Sequence, residues 1–228
     1  MNIKLKKYVE KICPLYAVIP LLCAFLFETF VYEGSKFLIT NRYHYDFTLA
    51  FDRWVPVIPI FTTIYFGCYI FWVINFIIMA RMGRKHFYQY IFALYASYVI
   101  CAIFYIALPT TNVRPEITGN SLGDMMLRFL YTTDTPENLF PSIHCMLSWF
   151  CYIGIRGKKE IPVSYRVFSC VFALLVVVST QVTKQHYVVD VFGGVILAEL
   201  SCYISKRKSW YLRMDKFFTY FNKKLGIE

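Results

Sequence analysis

Residues 87–108 read FYQYIFALYASYVICAIFYIAL, twenty-two positions without a single charge. As a helix rising about 1.5 Å per residue, such a run crosses a hydrocarbon core of about 30 Å. Its apolar residues do not alternate with polar ones, so a membrane-spanning strand is not indicated. Similar runs lie at roughly 13–32, 57–80, 143–155, 166–183 and 187–204. With 58% hydrophobic residues, 17% charged residues and a mean hydropathy of +0.48, the chain reads as an integral membrane protein and not as a disordered or soluble one. The expected fold is all-α, a polytopic six-transmembrane-helix bundle forming one domain over residues 1–228. The eight cysteines sit almost entirely within apolar runs and form no C-x-x-C pair, so they read as small buried side chains and not as disulfides or zinc ligands.

The net charge of +10 acquires meaning once the runs are placed. Eighteen of the 24 Lys and Arg residues fall in the N-terminus, residues 81–86, residues 156–166 and the tail; Lys36, Arg42, Arg53, Arg114, Arg128 and Lys184 fall in the other connections. The positive-inside rule then puts both termini in the cytoplasm and connections 33–56, 109–142 and 184–186 outside. The expected location is the plasma (inner) membrane. Membrane topology accounts for the basic excess, so no nucleic-acid partner is expected. The basic and aromatic tail, Lys206 to Lys224, suits anionic headgroups. The first run follows basic residues as a secretory signal would, but it leads into Glu28-Thr29-Phe30-Val31-Tyr32-Glu33 without a small-x-small cleavage site and is expected to remain as an uncleaved span.

Polar chemistry gathers on the outer side. Within 109–142, Ser121-Leu-Gly-Asp124 marks a helix start, and Leu122, Met125, Met126, Phe129 and Leu130 form an apolar stripe suited to a short helix in the interface plane. Of the four histidines, His44 and His86 read as interfacial. His144 follows Phe140-Pro141-Ser142-Ile143 at the start of the fourth run, and His186 precedes Asp190 by four residues. On a helix, that spacing would let Asp190 accept a hydrogen bond from His186 and leave the other ring nitrogen free. An acidic residue in a span costs on the order of 3 kcal/mol and usually serves a site. Arg114, Ser142 and Lys184 fall at the same ends of the runs and suit phosphate oxygens. The fourth run is short, about 20 Å as a helix, so His144 should sit near headgroup level, within reach of a lipid phosphate.

Three blocks, Arg114-Pro115, Pro141-Ser142-Ile143-His144, and Ser179-Thr180 followed at the proper spacing by His186 and Asp190, resemble the signature of the type 2 phosphatidic acid phosphatase superfamily, K-x-x-x-x-x-x-R-P, P-S-G-H and S-R-x-x-x-x-x-H-x-x-x-D. Three positions depart from it: Ala107 stands for the Lys, Ile143 for the Gly and Thr180 for the second Arg. Lys184 is expected to supply one missing cation. The stretch from Lys184 to Asp190 is similar to the branch of sphingomyelin and inositol phosphorylceramide synthases, which transfer a phosphorylated headgroup to an alcohol.

The resemblance implies that His186 attacks phosphorus to give a phosphohistidine, that Asp190 supports it, and that His144 protonates the departing oxygen and later deprotonates the acceptor. Arg114, Lys184, Ser142 and Ser179 would hold the phosphoryl oxygens. The expected substrate is a lipid phosphate or pyrophosphate, cleaved by water on the outer face of the membrane. Transfer to an alcohol and non-catalytic lipid-phosphate binding or transport remain open. Glu116, Asp124, Asp134 and Glu137 are scattered and lack a magnesium-site pattern, so no metal or other cofactor is expected.

Overall fold

The computed structural model describes residues 3–227. In chain order, helix α1 (Ile3–Ile12) precedes α2 (Leu15–Ile39); strand β1 (Tyr45–Asp46) and the short α3 (Ala50–Trp54) lead to a 3-10 turn (Pro59–Phe61) that runs into α4 (Thr62–Arg81). After α5 (Arg84–Ala107) come β2 (Thr110–Thr111), α6 (Leu122–Thr133), α7 (Ile143–Ile155), α8 (Val163–Val182), α9 (Val188–Arg207) and α10 (Tyr211–Lys224). Five helical segments, Leu15–Ile39, Pro59–Arg81, Arg84–Ala107, Val163–Val182 and Val188–Arg207, are long and apolar enough to cross a membrane, and Ile143–Ile155 is a shorter apolar helix. The protein is a helical membrane protein.

The apolar runs read from the sequence fall on helices, whose ends differ from those of the runs. The first run extends to Ile39, because Ser35 bonds back to the Val31 carbonyl at 2.6 Å and Lys36 pairs with Glu33 one turn earlier at 3.3 Å. A parallel two-residue pairing of β1 with β2 is too short to leave a periodic signal. Helix α1 carries Lys4, Lys7 and Lys11 alongside Leu5, Tyr8 and Ile12 and falls outside the expected elements. The tail also holds more order than a headgroup-binding segment requires. Helix α10 docks on the bundle through buried Phe218 and through Asp215 and Thr219, which accept from the Arg84 guanidinium at 2.9 and 2.6 Å.

The short α7 is encased by α4, α8 and α9. Ten of its thirteen residues are buried, from Ile143 to Ile155. A helix covered on nearly every side does not have to match a bilayer with its own length. Gly194 of α9 makes this packing possible at the start of α7: a Cβ there would lie 2.4 Å from the Ser142 carbonyl oxygen, so only glycine lets the two backbones meet. The contact is sealed by the Ser142 amide, which donates to the Asp190 carbonyl at 3.1 Å.

Candidate active site

The connection between α8 and α9 folds back over the end of α8. The amides of Gln185 and His186 both donate to the Thr180 carbonyl, at 2.9 and 3.0 Å, and the Gln181 carboxamide donates to the His186 carbonyl at 2.8 Å. Other connections clamp this turn from outside. Asn112 donates to the Lys184 carbonyl at 3.0 Å, Tyr131 to that of Thr183 at 2.9 Å, and Asp52 accepts from the Val188 amide at 2.9 Å. A turn held by three distant segments is rigid before any ligand arrives, and such preorganisation serves catalysis.

His186 is buried in this turn, before the first residue of α9, not on the helix. The face-sharing argument from its spacing to Asp190 therefore fails in detail. The His186 Nδ1 bonds the Leu139 carbonyl at 3.1 Å, while Asp190 Oδ2 lies 3.7 Å away and instead accepts from the Tyr187 amide at 2.8 Å. Asp190 caps α9 and offers its charge to the imidazole without a hydrogen bond. Since a carbonyl only accepts, Nδ1 carries the proton and Nε2 holds the lone pair.

His144, in the first turn of α7, lies with its ring centroid 5.8 Å from that of His186. Tyr65 and Tyr69 of α4 address its two nitrogens, the former 3.3 Å from Nδ1 and the latter 3.2 Å from Nε2. Beyond Tyr65 is Asp134, which accepts from the Tyr65 hydroxyl at 2.9 Å and from that of Tyr32 at 2.5 Å. Burial raises the Asp134 carboxyl, but the nearby His144, the two phenol donors and Arg114 outweigh it and hold the group below the usual carboxylate range. The expected short helix is present as α6, capped by reciprocal bonds between Ser121 and Asp124, and it ends at Asp134.

Among the expected phosphate ligands, Arg114 stacks over the Tyr131 ring at 4.9 Å and donates to the Asp134 carbonyl and to Gln185 Oε1 at 2.7 Å. Two buried donors here have no partner among the described residues: Arg114 Nε and Gln185 Nε2. Buried donors are rarely left bare, and a pair of them, one cationic, suits the oxygens of an anion. Ser142 caps α7, its hydroxyl accepting from the Cys145 amide at 3.3 Å.

Lys184 and Ser179 are placed differently from the sequence reading. The Lys184 ammonium donates to the carbonyls of Asp52 and Val55, both at 2.6 Å. Burial pushes it below the ordinary lysine range, with the Asp52 charge opposing. Two of its three protons pin the α3 segment. Ser179 is fully buried and donates to the Val176 carbonyl at 2.7 Å, so its hydroxyl is spent within α8. Thr180, where the signature has Arg, is fully buried, with its Oγ1 3.6 Å from the Cys145 Sγ.

Between α2 and α4 runs a cavity of about 800 Å³, lined mostly by apolar side chains from Ile12 and Val18 at one end to Phe66, Tyr69 and His144 at the other. Asp134 and Glu28 are among its few polar walls. The groove reaches His144 but not His186, so His144 stands between the groove and the candidate nucleophile.

Sequence reasoning missed Gln185, Tyr65, Tyr69, Asp52 and the role of Asp134, all of which act through contacts between residues far apart in the chain. Only Asp134 carried a signal, as an acidic residue next to a helix end. No curated protein and no solved structure matches the chain. The model of the PAP2 superfamily, whose signature the three blocks resemble, matches residues 37–204, a stretch that takes in both histidines, Asp190 and Arg114, and the chain belongs to that superfamily.

Proposed function

We propose that this protein is a membrane lipid phosphatase that cleaves a lipid phosphate or pyrophosphate through a phosphohistidine, with six spans, both termini in the cytoplasm and the site opening to the outer face. Membership of the superfamily supports an enzyme of the phosphatase type. The observation that carries the reading is the juxtaposition of two imidazoles 5.8 Å apart with the bare donors of Arg114 and Gln185, a nucleophile, an acid and an anion receptor in one place.

In this reading His186 Nε2 attacks phosphorus, and Asp190 offsets the positive charge that develops on the ring. Arg114 and Gln185 bind the equatorial oxygens, with the Ser142 helix start and the Lys184 charge around them, and favour the more negative transition state. His144 delivers a proton to the departing lipid oxygen and then takes one from water. The groove supports a lipid as substrate: the hydrocarbon chain lies among the apolar side chains from Ile12 to Phe66 while the phosphate reaches the histidines.

Purified protein in liposomes, given a panel of lipid phosphates and pyrophosphates, tests the proposal. Release of inorganic phosphate supports it. A second phosphorylated lipid in place of phosphate would identify headgroup transfer to an alcohol, and binding without turnover would leave only a lipid-phosphate binder.

A further inference from the structure

The His144 imidazole has a supporting chain of its own, separate from the one behind His186. The Tyr65 hydroxyl, fully buried, has one proton, and the carboxylate of Asp134, 2.9 Å away, can only accept it. Toward His144 Nδ1, at 3.3 Å, the same oxygen must therefore accept, so Nδ1 carries the hydrogen. Nε2 is then the nitrogen that exchanges protons. Its present partner is the Tyr69 hydroxyl at 3.2 Å, and Tyr69 lines the groove, so that hydroxyl occupies the direction from which a lipid oxygen approaches.

We propose that Asp134 and Tyr65 form a positioning relay that fixes the tautomer of His144 and stabilises its protonated form, making Nε2 the proton donor to the leaving lipid alcohol. The proposal rests on His144 being the acid–base group of the reading above. In the first half-reaction His186 Nε2 forms a bond to phosphorus while the phosphorus–oxygen bond to the lipid breaks. The electron pair of that bond goes to the lipid oxygen, which takes the Nε2 proton of His144. In the second half, Nε2 takes a proton from water as the water oxygen bonds to phosphorus, and the nitrogen–phosphorus electron pair returns to His186. Throughout, the Nδ1 hydrogen stays directed at Tyr65, and the charge on His144 is offset by Asp134 at one remove.

Other groups face His144. Tyr69 and Trp72 come from α4, with the Trp72 ring 5.5 Å away, and His186 comes from the turn before α9. Glu28 of α2 lines the same groove, and Arg114 reaches Asp134 through its backbone carbonyl. Among the described residues, only Tyr65 and Asp134 form a bonded chain from His144 to a carboxylate, and Tyr32 braces that carboxylate from the other side.

The test compares wild type with Tyr65→Phe, Asp134→Asn, the double variant and Tyr32→Phe. Nitrogen-15 NMR of histidine-labelled protein in nanodiscs should show His144 as the Nδ1–H tautomer in wild type and a mixture in Tyr65→Phe. This readout requires no turnover, so it stands even if no lipid phosphate proves to be a substrate. In the kinetic arm, each single variant on the chain should lower kcat by roughly 10- to 100-fold with KM within about twofold, a share of the 10²–10⁴-fold typical of general acid–base catalysis. The alkaline limb of the kcat profile should move to lower pH, because the protonated acid has lost its support. The double variant should be no worse than Tyr65→Phe, since Asp134 acts through Tyr65, and Tyr32→Phe, which leaves Tyr65 between Asp134 and His144, should move the limb less than Tyr65→Phe. An unchanged tautomer in Tyr65→Phe, or additive losses in the double variant, overturns the relay. A fall in melting temperature with an unchanged alkaline limb overturns it as well, because it assigns the chain to structure alone.

Discussion

Asp190 Oδ2 stands 3.7 Å from His186 Nδ1, outside hydrogen-bond range, while the Leu139 carbonyl holds the same nitrogen at 3.1 Å. Tautomer and charge support for His186, the proposed nucleophile, are thus divided between a backbone group and a side chain. His186→Ala should abolish turnover. Asp190→Asn should cost about 10- to 100-fold in kcat, well short of the roughly 10⁴-fold seen where a carboxylate alone sets the tautomer. The asparagine oxygen can still accept from the Tyr187 amide, so folding should survive. Single-turnover trapping of the phosphoenzyme in both variants separates the two contributions. Activity should also persist in excess EDTA, since Asp52, Asp134 and Asp190 are all engaged by protein donors.

Gln185 directs its oxygen to Arg114 and leaves its amide nitrogen bare. If that nitrogen donates to a phosphoryl oxygen, Gln185→Ala should lower kcat/KM by roughly 10- to 150-fold, the rate equivalent of about 1.5–3 kcal/mol for a hydrogen bond to a charged group. Gln185→Glu should be worse, because it sets a carboxylate against the phosphate. Equal, small losses in both variants would remove Gln185 from the anion site.

Lys184 pins the segment around α3 through two carbonyls. Lys184→Ala should destabilise the protein by about 2–4 kcal/mol, since two charge-assisted bonds are lost and the carbonyls of Asp52 and Val55 stay behind. Thermal unfolding in detergent reads this directly. Adding Thr180→Arg should not restore activity, because residue 180 is packed against Cys145; a rescued double variant would show that residues 180 and 184 address one phosphate.

The groove predicts a split between substrates. Val18→Trp places a bulky ring among the apolar lining residues on α2, whereas the Tyr65, Tyr69 and Trp72 contacts of His144 come from α4. It should raise KM for a long-chain lipid phosphate about tenfold or more and leave a soluble short-chain phosphate ester within about twofold. Parallel losses on both substrates would mean that the chain binds elsewhere.

Topology is checked independently of chemistry. A tag inserted between residues 116 and 120, ahead of α6, should be labelled from outside intact cells, and a reporter after α10 should remain inside, because the basic residues divide eighteen to six.

The helices were legible because every apolar run but the fourth comes close to or exceeds the length of a hydrocarbon core, and Ser121-x-x-Asp124 announced α6 by its cap. His144, His186 and Asp190 could be found because spacing along the chain encodes them. What the sequence concealed is tertiary. Whether His186 lies on α9 or two residues before it depends on where the Thr180 carbonyl gathers two amides, and no local pattern reveals that. Lys184 looked free because its acceptors are backbone carbonyls more than a hundred residues away. Gln185 and Tyr65 carry no signal, since a glutamine in a loop and a tyrosine in an apolar run are ordinary until Arg114 and Asp134 fold against them.

Because α7 is wrapped by protein on nearly every side, the depth of His144 is a property of the bundle and not of the lipid around it. A lipid-exposed helix tilts or shifts when the bilayer thickens or thins; a helix enclosed by α4, α8 and α9 is shielded from that adjustment. On the proposed reading, the two histidines therefore keep their mutual distance when membrane composition changes, and the headgroup of a lipid substrate, riding at the height its own bilayer dictates, must rise or sink to meet them.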